Sequence, residues 1–194
     1  IDWTQGISQL SIVNSNQSLR QKRSLTDFVN AFAHLMLSGW RVEGNPIFGG
    51  GAIDVMVGYN STFHNDMLKQ CLIDKATPYD ILFLIPPIDV KEGGGFAKFE
   101  AFKKANIRLF DGTDRKNRER YPTDMNLSRV YQYDSCRGLE GWCVVCYDFD
   151  LLYEYKMQQF INWLKNGKVQ IDELATNEEK AEKLTTLWLL MPLT

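Results

Sequence analysis

The sequence predicts an α/β fold, a three-layer, doubly wound and mostly parallel sheet covered by helices, and three observations carry that expectation. Ile81-Leu82-Phe83-Leu84-Ile85 is an unbroken apolar run, the pattern of a parallel strand covered on both faces. Helical stripes alternate with short strand-like runs along the whole chain. The stretch from Tyr131 to Val145 reads as a strand, a polar turn closed by Gly138-Leu139-Glu140, and a second apolar strand.

Each element follows from local pattern. Residues 7–13 (Ile-Ser-Gln-Leu-Ser-Ile-Val) alternate as a first strand. Ser24 is placed to cap a helix with Leu25, Phe28, Val29, Phe32, Leu35 and Met36 on one stripe, and Gly39 stops it. Residues 44–51 read as a loop, and Ile53, Val55 and Val57 as a short alternating strand. Ser61 or Thr62 opens a helix to about Lys75, with Phe63, Met67, Leu68, Cys71 and Leu72 inward. Pro78 precedes the apolar strand at 81–85, and Pro86-Pro87 ends it. A flexible loop at 91–95, a short helix at 96–105 and a strand at 107–110 follow. Residues 111–124 are polar and charged and are expected to form a mobile loop. Strands at 129–133 and 142–148 flank the Gly-Leu-Glu turn, and helices are expected at about 151–166 and 177–190. The pattern describes one domain over residues 1–194.

Composition narrows the function classes. The chain has 194 residues, 44% of them apolar and 24% charged, with a net charge of -2. No global basic field points to nucleic acid, so any such binding needs a local patch. No apolar run approaches the roughly 18 residues that span a bilayer. The first residues lack a basic segment followed by an apolar one, so no signal peptide is expected and a cytoplasmic setting is the default. The missing initiator Met implies a piece of something longer. Cys143-Val-Val-Cys146 has metal-like spacing, but residues three apart on a strand face opposite ways, so no metal site is expected there. His34 and His64 read as structural.

The motifs begin with an absence. No Gly-x-x-x-x-Gly-Lys-Ser/Thr occurs, and Gly93-Gly94-Gly95-Phe96-Ala97-Lys98 has the wrong spacing. The chain by itself is therefore not expected to hydrolyse ATP. Three other stretches carry positive signals. Ser18-Leu19-Arg20-Gln21-Lys22-Arg23-Ser24 ends in the start of a helix that contains Asp27-Phe28. Ser135-Cys136-Arg137-Gly138-Leu139-Glu140 leads into Val144-Val145. Leu187 to Thr194 is an apolar helix meeting Pro192, then Leu193-Thr194. In physical terms Gly138 permits a tight turn and Glu140 offers a carboxylate to hydroxyl donors. A basic loop of Arg115, Lys116, Arg118 and Arg120 reads either as a phosphate contact or as a solvated segment.

In this order and at these separations the three stretches resemble motifs IV, V and the start of motif VI of UvrD/Rep-type superfamily 1 helicases, in their second RecA-like domain. The resemblance covers residues 9–194 and implies a RecA-like fold without a P-loop. It places Arg20 as the catalytic arginine reaching the γ-phosphate, and Arg20, Gly138 and Glu140 as the nucleotide contacts, Glu140 on the ribose. It places Ser135 and Arg137 on the nucleic acid. ATP and Mg2+ would be held in the parent protein by an N-terminal RecA-like domain, with single-stranded DNA as the other partner and this piece monomeric. Arg137 stands where the family usually has lysine, Asp134 where it commonly has histidine, and Gly141 where it has an aromatic residue. Two other readings remain: a non-catalytic RecA-like interaction or regulatory domain, and a small-molecule enzyme using Asp134 or Glu140 as acid or base.

Overall fold

The computed structural model describes residues 21–35, 37, 39–44, 49–58, 61–87, 102–103, 106–117, 120, 122–167 and 175–193. The strand expected at 7–13, the loop at 91–95 and most of the helix at 96–105 lie outside them. The chain divides into two compact units, Ile1–Ile53 and Asp54–Thr194.

In the first unit, helix α1 (Arg23–His34) buries Thr26, Val29 and Ala33 along one stripe. Lys22, not Ser24, is the N-cap, and it makes no side-chain cap bond. Leu35, expected on the inward stripe, lies beyond the last turn and is exposed. The Asn30 amide donates to the Val42 carbonyl at 2.7 Å and accepts from the Val42 N–H at 2.8 Å, which ties the returning chain to the helix.

The second unit is built on four strands: β1 (Ile81–Ile85), β2 (Leu109–Asp111), β3 (Ser128–Gln132) and β4 (Cys143–Cys146). All pair in parallel, in the order β2-β3-β1-β4. The unit is therefore α/β with a parallel sheet, and the fully apolar strand β1 is central and buried throughout. Ile53–Val57 departs from the expected strand: Val55 is 86% and Val57 106% exposed, and no strand is assigned there. Alternation alone supplies no ladder partner, and without one the backbone stays hydrated.

Helix α2 (Ser61–Ile73) covers one face of the sheet. Met67 and Cys71, one turn apart, pack with Ile81, Phe83, Ile85, Phe102, Ile107 and Val130. Leu72, expected inward, points to solvent because it falls off that stripe. After β2, residues 112–127 are a chain of pinned turns rather than a mobile loop among the described positions. The Asp111 carboxylate takes the Thr113 N–H at 2.9 Å, Asn117 donates to the Asp111 carbonyl at 3.0 Å, and Arg108 pairs with Asp124 at 2.9 Å. Helices α3 (Phe149–Lys165) and α4 (Asn177–Leu190) form a packed pair. α4 has the bounds its sequence predicts, because Thr176 and Glu179 close a capping box; the Thr176 N–H and hydroxyl hold the Glu179 carboxyl below its ordinary range.

The ten residues Tyr133 to Trp142 connect β3 to β4 across the face of β1 opposite α2. A side chain at Gly141 would put its Cβ 2.6 Å from the Asp80 carbonyl oxygen and 3.3 Å from the Leu82 Cβ. Glycine is what lets the crossover lie flat on β1. Arg129 of β3 holds this arrangement. It is 5% exposed, donates from Nε to the Tyr79 carbonyl at 2.7 Å and from Nη2 to the Glu140 carbonyl, and lies 4.1 Å from the Tyr79 ring centre. Replacing it with methionine keeps an apolar stem but leaves both carbonyls without their donor. Arg129→Met is expected to lower stability by about 2–4 kcal/mol. A urea titration checks it; a midpoint equal to that of the parent chain would refute the role.

Candidate functional site

Strand order defines where a ligand site belongs. The chain leaves β1 towards β2 on one side, and leaves β3 towards β4 on the other. Phe102, just before β2, packs on Phe83 on the α2 face, whereas the β3–β4 crossover lies on the face of Leu82. With Phe102 on one face and the β3–β4 crossover on the other, the carboxyl ends of the adjacent strands β1 and β3 have the arrangement of a switch point, the usual ligand crevice of such sheets.

The crossover begins at that crevice and ends at the opposite edge. Tyr133–Ser135 forms a single 3-10 turn directly after β3. The buried Tyr133 hydroxyl donates to the Tyr147 carbonyl just past β4 at 2.9 Å, so this turn is fastened at the carboxyl edge. Burial pushes the Tyr133 phenol far above its ordinary range, so it stays protonated. Ser135 is half-buried in the turn. Arg137 is exposed, and its Nη2 reaches Met191 Sδ, just after α4, at 3.5 Å. Gly138 is exposed with φ +81°, the left-handed conformation that its role as a turn glycine requires. Glu140 is exposed, and its carbonyl is the one that Arg129 holds beside Tyr79, at the amino edge of β1.

The structure thus separates what the sequence grouped. Ser135 belongs to the carboxyl edge and Glu140 to the amino edge, with Arg137 and Gly138 between. Arg20 lies outside the described residues, as does Arg118 of the basic loop. Arg115, Lys116 and Arg120 are exposed. Trp142 is 41% exposed, with its indole N–H on Asp74 at 3.1 Å.

One residue beside the turn went unnoticed in the sequence. Lys156 of α3 is 2% exposed, and its Nζ lies 2.7 Å from Asp134 Oδ1, 3.5 Å from Gln159 Oε1 and 4.1 Å from the centre of the Trp188 ring on α4. The signal was present: Leu152, Lys156 and Phe160, at i, i+4 and i+8, are the buried stripe of α3. A lysine in the middle of an apolar stripe marks a paired charge. Asp134, one of the acid–base candidates, is the other half of this pair.

Among the described residues, no group of three His, Cys, Asp or Glu side chains is placed to hold a metal. No described helix is long and apolar enough to cross a membrane. All four cysteines are free. Burial raises each thiol, Cys143 to about 11 and Cys146 to about 12, so they stay protonated near neutrality. Cys143 meets Met67 at 3.5 Å, whereas Cys146 is near the Tyr133 hydroxyl, which puts the two thiols on opposite faces as the strand period requires.

Comparison with protein-family models, with curated proteins and with solved structures finds no match to this chain.

His64 is the one described histidine in the core. It is 1% exposed and stacks on Phe83 at 5.6 Å, and its Nδ1 has no hydrogen-bond partner. Burial lowers its pKa from 6.5 to about 4. The folded state therefore favours the neutral ring, and the unfolded state takes up the proton first. Stability is full above about pH 6.5 and is lost as pH falls towards 4, by at most roughly 3 kcal/mol. Denaturant titrations from pH 7 to 4 are expected to show this loss, and His64→Leu to flatten it; a slope unchanged by the substitution would refute the assignment.

Proposed function

We propose that this chain is the second RecA-like motor domain of a superfamily 1 DNA helicase. The observation that carries the reading is the crossover: one ten-residue segment between parallel strands bears the Ser135–Arg137 group at one end and Glu140 at the other. The crossover starts at the carboxyl edge, where the ligand crevice lies, whereas Glu140 stands at the amino edge, so its ribose contact is carried by the motif resemblance alone. In this reading Glu140 accepts hydrogen bonds from the ribose hydroxyls, and Gly138 lets the backbone approach the nucleotide. Ser135 and Arg137 contact the backbone of single-stranded DNA. Arg20 supplies positive charge to the γ-phosphate.

In this reading the triphosphate and Mg2+ belong to a neighbouring N-terminal domain, since this sequence has no P-loop. ATP, when bound there, would supply the free energy of hydrolysis, and Glu140 and Arg20 of this chain would meet its ribose and γ-phosphate. A second reading, a non-catalytic RecA-like interaction domain, draws on the exposed Leu72, Ile73 and Trp142 at the end of α2 and the start of β4.

The test is binding of a fluorescein-labelled oligo-dT by anisotropy across a salt series. The chain is expected to bind with affinity that falls as salt rises, and Arg137→Ala to reduce the slope of log K against log salt by about one. Glu140→Gln is expected to leave DNA binding unchanged. ATP turnover by the isolated chain, or oligonucleotide binding that is absent even at low salt, would sink the reading.

A further inference from the structure

We infer that Lys156 is a positioning residue for nucleic-acid contact: through Asp134 it sets the turn from which Ser135 and Arg137 reach the phosphates. The inference rests on the reading above and names a residue outside the three helicase-like stretches.

Lys156 is not explained by stability. Its neighbours on the stripe, Leu152 and Phe160, show that an apolar side chain packs there. A buried ammonium costs several kcal/mol of desolvation, and replacing buried ion pairs by apolar groups is often neutral or stabilising. What the pair does supply is register. Asp134 is the middle residue of the Tyr133–Ser135 turn, so a 2.7 Å contact on its carboxylate fixes that turn against α3. Trp188 caps the same ammonium from α4, so both helices hold the turn through one charge. Arg137 has no comparable anchor of its own among its side-chain contacts. Its side-chain partner, the Met191 thioether, is a weak acceptor at 3.5 Å, so the direction of the guanidinium depends on the backbone before it.

A group that acts by placement differs measurably from one that touches phosphate. Lys156→Met is expected to weaken oligo-dT binding about tenfold, the scale on which loss of a supporting contact is felt. It is expected to leave the salt slope unchanged, because no phosphate contact is lost, whereas Arg137→Ala lowers that slope. Lys156→Arg keeps a donor for Asp134 and a cation over Trp188, and is expected to restore affinity to within about threefold of the parent chain. Asp134→Asn retains an acceptor of the same shape and weakens the same lock from its more exposed side, and a thermal melt confirms that it is folded, so it tests the proposal even where Lys156→Met does not fold. Loss of affinity in Asp134→Asn or Lys156→Met at constant slope, with rescue by arginine, supports the inference. Parent-like affinity in Lys156→Met and Asp134→Asn overturns it while leaving the DNA-binding reading intact. A slope that falls by about one in Lys156→Met overturns it too, by making the lysine a direct contact. Failure of the parent chain to bind oligo-dT overturns the functional reading and this inference together.

Discussion

The second unit depends on one buried cation. Parallel strands joined by only ten residues leave no room for a covering helix, so the connection itself must cover β1. Its backbone polar groups then need partners within the sheet layer. Arg129 meets that need from β3, with one donor on the chain entering β1 and another on the chain about to enter β4. The guanidinium fork spans both carbonyls, which a lysine's single nitrogen would not do. Gly141 is the geometric counterpart, since only a residue without Cβ allows the approach that the arginine then fastens. The close crossover, the buried arginine and the glycine form one solution to one constraint.

Much of the fold was legible because burial was written directly in composition. β1 is apolar at every position and is buried at every position. α4 carried its own boundary in the Thr176–Glu179 box. Where the structure departs from the pattern, the missing information is tertiary. Val55 and Val57 have the alternation of a strand, but pairing is a property of neighbours, and no neighbour is written in the segment. The Asp111–Asp124 stretch reads as mobile because it is charged, yet the carboxylates of Asp111, Asp114 and Asp124 are spent on local N–H groups and on Arg108. Polarity was visible; the saturation of that polarity was not.

The candidate site divides in the same way. The turn glycine, the exposed Glu140 and the exposed Arg137 follow from the local sequence. That the crossover carries them to different edges does not, because the direction of a crossover is set by strand order. Lys156 lies twenty-two residues from Asp134 and was readable only as an anomaly in a helical stripe. A charge amid apolar neighbours says that a partner exists without saying which.

The four native thiols, two buried and two half-buried, have a practical meaning for work on this protein. Thiolate, not thiol, reacts with maleimides and related reagents, and burial holds these four protonated. The native cysteines form a chemically quiet background. A cysteine introduced on an exposed part of the β3–β4 crossover would be the reactive one, so a fluorophore or spin label can be attached there without first stripping the chain of its own sulfur.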